Sequence, residues 1–182
     1  MRTMLKSLTV LLLAAMPILA SAQGLQALKD LRTVTEVEIN DGAMKLSVFS
    51  LPEDGQKHYY LSVGKMGLGN EVVQVQVDPL SVLYIPLGDT LKDAMATLEE
   101  MKGLFKKDVG SSIVTEGCLT PVYPKTDSFE PVTVSHYRPL LTHQLEFRID
   151  REKYLLVTHI DRSDFNSIVS GVKFYSKLHP KE

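Results

Sequence analysis

The sequence has very little cysteine, the residue with which many secreted proteins form stabilising disulfides. Its 182 residues include one cysteine, Cys118, and no tryptophan. A single cysteine excludes an internal disulfide, so the stability of the fold has to come from packing. This composition argues against a small disulfide-dependent extracellular domain. It fits a protein of the bacterial envelope better.

Long apolar runs are also missing. The main one covers residues 8–15, follows Arg2 and Lys6, and precedes an Ala-Ser-Ala motif that ends at Ala22. A charged start, a short apolar run and a small-x-small end are typical of a cleavable secretory signal. A membrane span needs ~20 apolar residues, so we expect no membrane insertion after cleavage. With no cysteine near the cleavage site to carry a lipid anchor, residues 1–22 predict a periplasmic or secreted protein.

Neither sign of charge dominates. The chain has 20 basic and 22 acidic residues, and residues 1–22 contain two of the basic and none of the acidic ones, which leaves 18 basic against 22 acidic. The lysines are scattered, so the pattern favours neither nucleic acid nor anionic lipid as a partner. The remaining 160 residues (182 less 22) suit one domain. We expect residues 23–182 to form a single soluble globular unit.

Two stretches have the apolar spacing of amphipathic helices. In residues 89–108, apolar side chains recur at steps of three and four, and Thr90 with Asp93 resembles a capping box. Residues 164–178 repeat the pattern, and we expect Ser163 or Asp164 to cap this second helix. The apolar positions of the two stretches match at a constant offset of 74 residues. The offset allows a degenerate duplication, although any two core helices show similar spacing.

Alternating apolar and polar residues predict the strands. The clearest hairpin turns at residues 41–42, Asp-Gly, where a two-residue loop places Val37 opposite Leu46. A second hairpin turns at residues 151–152 and places its apolar residues on one face. We expect an α+β protein with a mostly antiparallel sheet of about seven or eight strands packed against two amphipathic helices.

Residues 64–70, with the sequence GKMGLGN, invite comparison with a phosphate-binding loop. Such loops open a helix, whose first amides point at the phosphate. This segment runs instead into an alternating stretch at residues 73–77, which has the pattern of a strand. A flexible hairpin connection is therefore the favoured interpretation.

Cys118 is the one residue that suggests nucleophilic catalysis, because His136, His143 and His159 follow it as a base would in some cysteine enzymes. A reactive thiolate normally sits at a helix N-terminus or beside a cation. Cys118 lies in a strand-like segment with Glu116 two residues away, which would raise the pKa of the thiol. We expect a buried, inert cysteine.

The histidines are also possible metal ligands, but strand alternation separates them. His143 shares a face with Leu145, and His159 shares the opposite face with Glu146, so the two are not expected to bind one ion. The sequence has no HExxH motif, paired cysteines or calcium loop. We expect neither a metal nor another cofactor.

The absence of an assembled catalytic motif favours a non-catalytic binding or accessory protein of the envelope or the secreted fraction. Its partner would be an envelope or extracellular protein or a small ligand. The alternative is a small hydrolase or transferase that uses Cys118 and a histidine such as His143. Loops held by a rigid sheet often carry binding sites. The interrupted strand near Arg138-Pro139 therefore predicts a ligand site at Tyr123, His136, Tyr137 and His143, with His159 at its margin.

Overall fold

A computed structural model describes the fold for most of the chain after residue 31. The residues described are 32–39, 44–53, 56–64, 67–70, 73–76, 82–120, 129–151 and 154–181. The predicted signal at residues 1–22, the predicted turn at residues 41–42 and the predicted site residue Tyr123 lie outside them. Those three features therefore stay predictions.

The described residues form ten strands and two α-helices. They are β1 Arg32–Ile39, β2 Met44–Glu53, β3 Gln56–Gly64, β4 Gly67–Asn70, β5 Val73–Gln76, β6 Val82–Gly88, α1 Leu91–Gly103, β7 Ser112–Thr120, β8 Glu130–Tyr137, β9 Gln144–Arg151, β10 Tyr154–Asp161 and α2 Arg162–Leu178. The strands form one antiparallel sheet in the order β1-β2-β3-β6-β7-β8-β9-β10-β4-β5. The α+β prediction is confirmed. Eight of these strands have seven residues or more, and β4 and β5 have four each.

The first hairpin has the predicted register. Val37 pairs with Leu46, and Thr35 pairs with Val48. Leu46 and Val48 are fully buried, whereas Glu36 on the alternate face of β1 is exposed. Since a slip of one residue would move Leu46 to the other face, burial on one side is what fixes this register.

The buried apolar residues of the sheet and both helices form one cluster. From the sheet it includes Leu61, Val63, Leu83, Ile85, Val134, Leu145, Phe147, Ile149, Leu156 and Ile160; from the helices it includes Leu91, Ala94, Leu98, Met101, Phe165, Ile168, Val169 and Val172. The apolar faces that the periodicity defined are thus the faces that pack. One core serves the described residues.

The two helices begin differently. Thr90 caps α1 as predicted, because its hydroxyl oxygen accepts from the backbone N–H of Asp93 at 3.1 Å and donates to that residue's carboxylate at 2.7 Å. The predicted cap of the second helix, at Ser163 or Asp164, is wrong. Strand β10 runs directly into α2, and Asp161 occupies the cap position without a side-chain cap hydrogen bond. Its carboxylate instead accepts from the Gln144 amide at 2.7 Å.

The sheet is strongly curled. Only two residues, 65 and 66, separate β3 from β4 along the chain, yet five strands lie between them in the sheet. Three Cα–Cα steps span at most about 11 Å, whereas six strand spacings in a flat sheet would span about 29 Å. The sheet must therefore bend until β10 approaches the end of β3. Gly67–Asn70, predicted to lie in a hairpin connection, is a strand that pairs with both β5 and β10.

Candidate functional site

Two loops meet at one end of the sheet. Residues 107–111 lead into β7, and residues 138–143 join β8 to β9. The backbone of His136 exchanges two hydrogen bonds with the first loop, at 2.8 and 2.9 Å. The second loop is bound to the start of α2, because the Arg162 backbone N–H donates to the His143 carbonyl at 3.0 Å. We call this surface, made of the two loops and Arg162, the loop end.

His136 and His143 form a hydrogen-bonded pair at the loop end, which we call the relay. His136 Nδ1 lies 2.9 Å from the Lys107 carbonyl oxygen, and His136 Nε2 lies 2.8 Å from His143 Nδ1. A carbonyl only accepts hydrogen bonds, so His136 carries its proton on Nδ1, and in the neutral ring its Nε2 is an acceptor. His143 must then donate from Nδ1. Its remaining nitrogen, Nε2, is left with a lone pair at the loop end.

The relay is held by ring contacts. The rings of His136 and His143 stack with their centroids 5.0 Å apart, and the Phe105 ring meets His136 edge-on at 6.0 Å. The Arg162 guanidinium lies over the Phe105 ring, 5.8 Å from its centroid. His136 is only 3% exposed, whereas His143 is half-buried. The inner histidine is therefore structural, and the outer one is the residue that can meet a ligand.

The electrostatic surroundings keep His143 neutral. Its pKa is lowered from the ordinary value, first by burial and then by electrostatic interactions with Arg138, His136 and Arg162. Near neutral pH the imidazole is therefore unprotonated. A histidine that faces the core needs a hydrogen-bond partner, commonly a backbone carbonyl or a buried hydroxyl. The structure instead supplies the ring of His136.

A second cluster lies on the opposite face of the same strands. His159 Nε2 is 3.1 Å from the Glu146 carboxylate, which also accepts from the Ser135 hydroxyl at 3.4 Å. The Tyr137 ring lies against His159, with centroids 4.7 Å apart. The hydrogen bond from His159 is the main cause that lowers the pKa of Glu146. This group is an extended polar network on the outer face of the sheet.

The predicted ligand site thus divides into two clusters. The structure brings His136 and His143 together, and it brings Tyr137 and His159 together, but the sheet lies between the pairs. The expected separation of His143 from His159 agrees with this arrangement. Across the described residues, no three histidine, cysteine, aspartate or glutamate side chains converge to hold a metal ion.

Cys118 lies far from the histidines of the loop end. It is fully buried in β7 and pairs across the sheet with Tyr84, whose pKa is raised by burial and by the nearby thiol. Ser112 of the same strand pairs with Ser135, the neighbour of His136. Six residues separate Ser112 from Cys118, or ~20 Å along a strand. The sheet therefore holds the thiol and the relay at opposite ends of β7.

Sequence reasoning missed the most exposed part of the loop end. Leu140 and Leu141 are 95% and 84% exposed, and Val109 of the other loop is also exposed. Leu140 has a φ of 55°, a left-handed conformation that is unusual for a branched residue. The Thr142 N–H closes the turn on the Pro139 carbonyl at 3.1 Å. Two consecutive leucines after a proline, between two strands, were the signal available.

No protein-family model, no curated protein and no solved structure matches the chain. Among the described helices, neither α1 nor α2 is long and apolar enough to cross a membrane. Functional inference therefore rests on the loop end, the relay and the outer-face cluster themselves.

Proposed function

We propose that this chain is an exported, non-catalytic binding or accessory protein of the bacterial envelope, and that it binds a protein partner through the loop end. The observation that carries the proposal is the exposure of Leu140 and Leu141 at the tip of a tight turn. Adjacent apolar side chains that protrude from a turn suit an apolar pocket on a partner. Their exposure supports the proposal that the loop end is the docking surface.

The conformation of Leu140 supports this role. A bulky residue in a sparsely populated φ/ψ region costs roughly 1–3 kcal/mol, and such strain concentrates at functional sites. The side chain gains nothing from this strain within the described fold, because it is almost wholly exposed. Binding to a partner would bury the Leu140 side chain, and the free energy of this burial would offset the backbone strain.

The charges around the leucines indicate which sign of charge the rim of the partner's pocket should carry. Arg138 and Arg162 are both exposed at the loop end, Lys107 begins its first loop, and Lys106 comes just before it. Complementary charge at the edge of an interface mainly sets the encounter rate and the orientation of the partner. We therefore expect an apolar pocket with an acidic rim, on an envelope or extracellular protein.

The position of Cys118 supports binding over the enzyme alternative. A cysteine hydrolase needs a base within hydrogen-bond reach of the thiol. All five histidines lie in described residues, and in the sheet register Cys118 faces Tyr84, with Leu119 facing Leu83. The relay histidines sit at the far end of β7. Nothing in this arrangement favours a thiol–imidazole pair.

Capture from envelope extract with paired leucine variants tests the docking surface. The protein with Leu140→Ser and Leu141→Ser should lose a partner that the wild type captures. A photo-crosslinking side chain at position 141 should label the same partner. The matched control is Phe174→Ser with Leu178→Ser on α2, which alters two apolar residues that are 64% and 61% exposed. Equal capture by all three proteins, or equal loss in both variants, would reject the loop end as the interface.

Export is tested separately by fractionation and intact mass. The mature protein should begin at Gln23 and appear in the periplasm or the medium. Retention of Met1, or accumulation in the cytoplasm, would refute the exported assignment without bearing on the loop end.

A further inference from the structure

We propose that Arg138, His143 and Arg162 form a subsite at the loop end that binds an oxyanion, a carboxylate or a phosphate group of the ligand. The inference rests on the proposed function in that it names the chemistry recognised at the same surface. The ligand would carry an anionic group next to the apolar part that contacts Leu140 and Leu141. Of its three residues, only His143 belongs to the ligand site that the sequence predicts.

Contacts along one continuous path place Arg162 next to His143. The two residues share a backbone hydrogen bond of 3.0 Å. The guanidinium of Arg162 lies on Phe105, Phe105 lies against His136, and His136 stacks on His143. The backbone of Arg162 is thereby held beside that of His143, and its guanidinium joins the same cluster of rings. Arg138 begins the six-residue segment that ends at His143, and its charge also acts on that ring.

Both guanidinium groups are without a carboxylate partner in the described part of the chain. Other arginines in the same sheet are paired: Arg148 lies 3.0 Å from Asp150, and Arg151 lies 3.0 Å from Glu130. The nearest acid in sequence to Arg162 is Asp161, whose carboxylate is engaged by Gln144. Neither of these two exposed guanidinium groups is ion-paired within the described residues, although Asp161 keeps its charge, and an oxyanion would supply a direct partner.

The relay allows His143 to take part in binding. Because His143 Nδ1 already donates to His136, an added proton must go to Nε2, the nitrogen at the loop end. Protonation there breaks no bond of the relay and adds a charge-assisted donor to those of the two arginines. His136 has no such option, since its Nε2 accepts from His143 and its Nδ1 donates to a carbonyl. Binding of the anion is thus expected to draw one proton from solvent onto His143.

The geometry also favours an anion over a metal cation at His143 Nε2. A neutral imidazole whose other nitrogen donates a hydrogen bond is a common metal ligand. Here, however, two guanidinium charges act on the same ring. They would repel a divalent cation and attract a carboxylate or phosphate, which guanidinium groups bind in a planar, two-pronged geometry.

Nuclear magnetic resonance of the His143 ring tests the subsite with inorganic phosphate and with acetate as probes. In the full mature protein, the ring signals should shift saturably with the probe, and the protein should take up a proton. The variant with Arg138→Gln and Arg162→Gln should bind roughly tenfold or more weakly, because charge-assisted hydrogen bonds are lost. The control, Arg148→Gln on the outer face, should bind as the wild type does.

The outcomes separate this inference from the proposed function. Saturation by phosphate alone assigns a phosphate group, saturation by acetate alone assigns a carboxylate, and saturation by both assigns a general oxyanion subsite. Shifts that do not saturate, or that are the same in the double arginine variant, overturn the inference. The Leu140→Ser and Leu141→Ser protein should keep phosphate or acetate binding even where partner capture is lost. Melting temperatures confirm that each variant is folded.

Discussion

Gly171 of α2 lies so close to Thr35 of β1 that a Cβ on the glycine would overlap the threonine hydroxyl. This contact sets how near the helix approaches the first strand. We expect Gly171→Ala to destabilise the protein by about 1–3 kcal/mol, the usual cost of overpacking. Urea unfolding measures the change.

Gly103, the last residue of α1, provides a matched control. A Cβ there would meet nothing within 4 Å, and the backbone at Gly103 is helical. Gly103→Ala should leave stability unchanged or raise it by up to ~1 kcal/mol, because alanine restricts the unfolded chain. Equal losses in the two variants would contradict the packing explanation for Gly171.

His136→Phe should cost about 1–3 kcal/mol, although the ring keeps its approximate shape. The substitution removes the donor to the Lys107 carbonyl and leaves His143 Nδ1 without its acceptor. Tyr137→Phe, at the next position on the other face, keeps the ring contact with His159 and should change stability by less than ~0.5 kcal/mol. If His136→Phe left the free energy of unfolding unchanged, the relay would not stabilise the fold.

His143 predicts a pH dependence of stability in a phosphate-free buffer. Its folded pKa lies below the ordinary value of about 6.5, so between the two values the unfolded chain binds more protons. Stability is then full above about pH 6.5 and falls as the pH drops toward the folded pKa. His143→Gln should flatten this part of the curve, measured by urea unfolding at several pH values. An unchanged slope in the variant would contradict the assignment.

Glu146 predicts a second loss of stability at lower pH. Its hydrogen bond from His159 holds the folded pKa below the ordinary value. The stabilisation is therefore present above about pH 4.3 and disappears as the pH falls through the folded pKa. Glu146→Gln should weaken the dependence in this acid range and leave the region near pH 6 intact. If Glu146→Gln also flattened that upper region, the two faces of the sheet would be coupled.

Cys118 should resist alkylation in the folded protein, because it is fully buried in β7. Iodoacetamide should modify it only at the rate of unfolding, and addition of urea should expose it at once. Mass spectrometry follows the reaction. Rapid labelling of folded protein near pH 6.5 would indicate a depressed thiol pKa and would favour the enzyme alternative.

The buried faces of the strands could be predicted because local alternation and burial act together. Val37 faces Leu46 as predicted, because a one-residue slip would expose the apolar side chains. In the second hairpin the predicted faces are right, since Leu156 and Ile160 of β10 face Ile149 and Leu145 of β9, but the predicted turn at residues 151–152 is wrong: Arg151 still belongs to β9 and pairs with Tyr154, which shifts the register by two residues. The same alternation correctly placed His143 and His159 on different faces. These features depend on nearest neighbours along and across a hairpin.

Features that depend on distant contacts could not be predicted. The start of α2 depends on the engagement of Asp161 by Gln144, which lies on another strand. The partner of His143 is a ring seven residues earlier, brought close by the turn at Pro139. The left-handed Leu140 has no sequence signature, because leucine seldom adopts that conformation. The conformation of Leu140 therefore had to be found in the structure.

The pairing of β4 with β10 has a consequence for how the chain acquires its fold. Leu68 pairs with Leu156, which lies 88 positions later in the chain. Because the chain is synthesised from its N-terminus, β4 is released long before β10. Pairings of such sequence separation form slowly. Until β10 emerges, β4 and β5 have no edge to join, and an unpaired edge invites aggregation. We therefore expect the pairing of β4 with β10, which closes the curled sheet, to form late in folding.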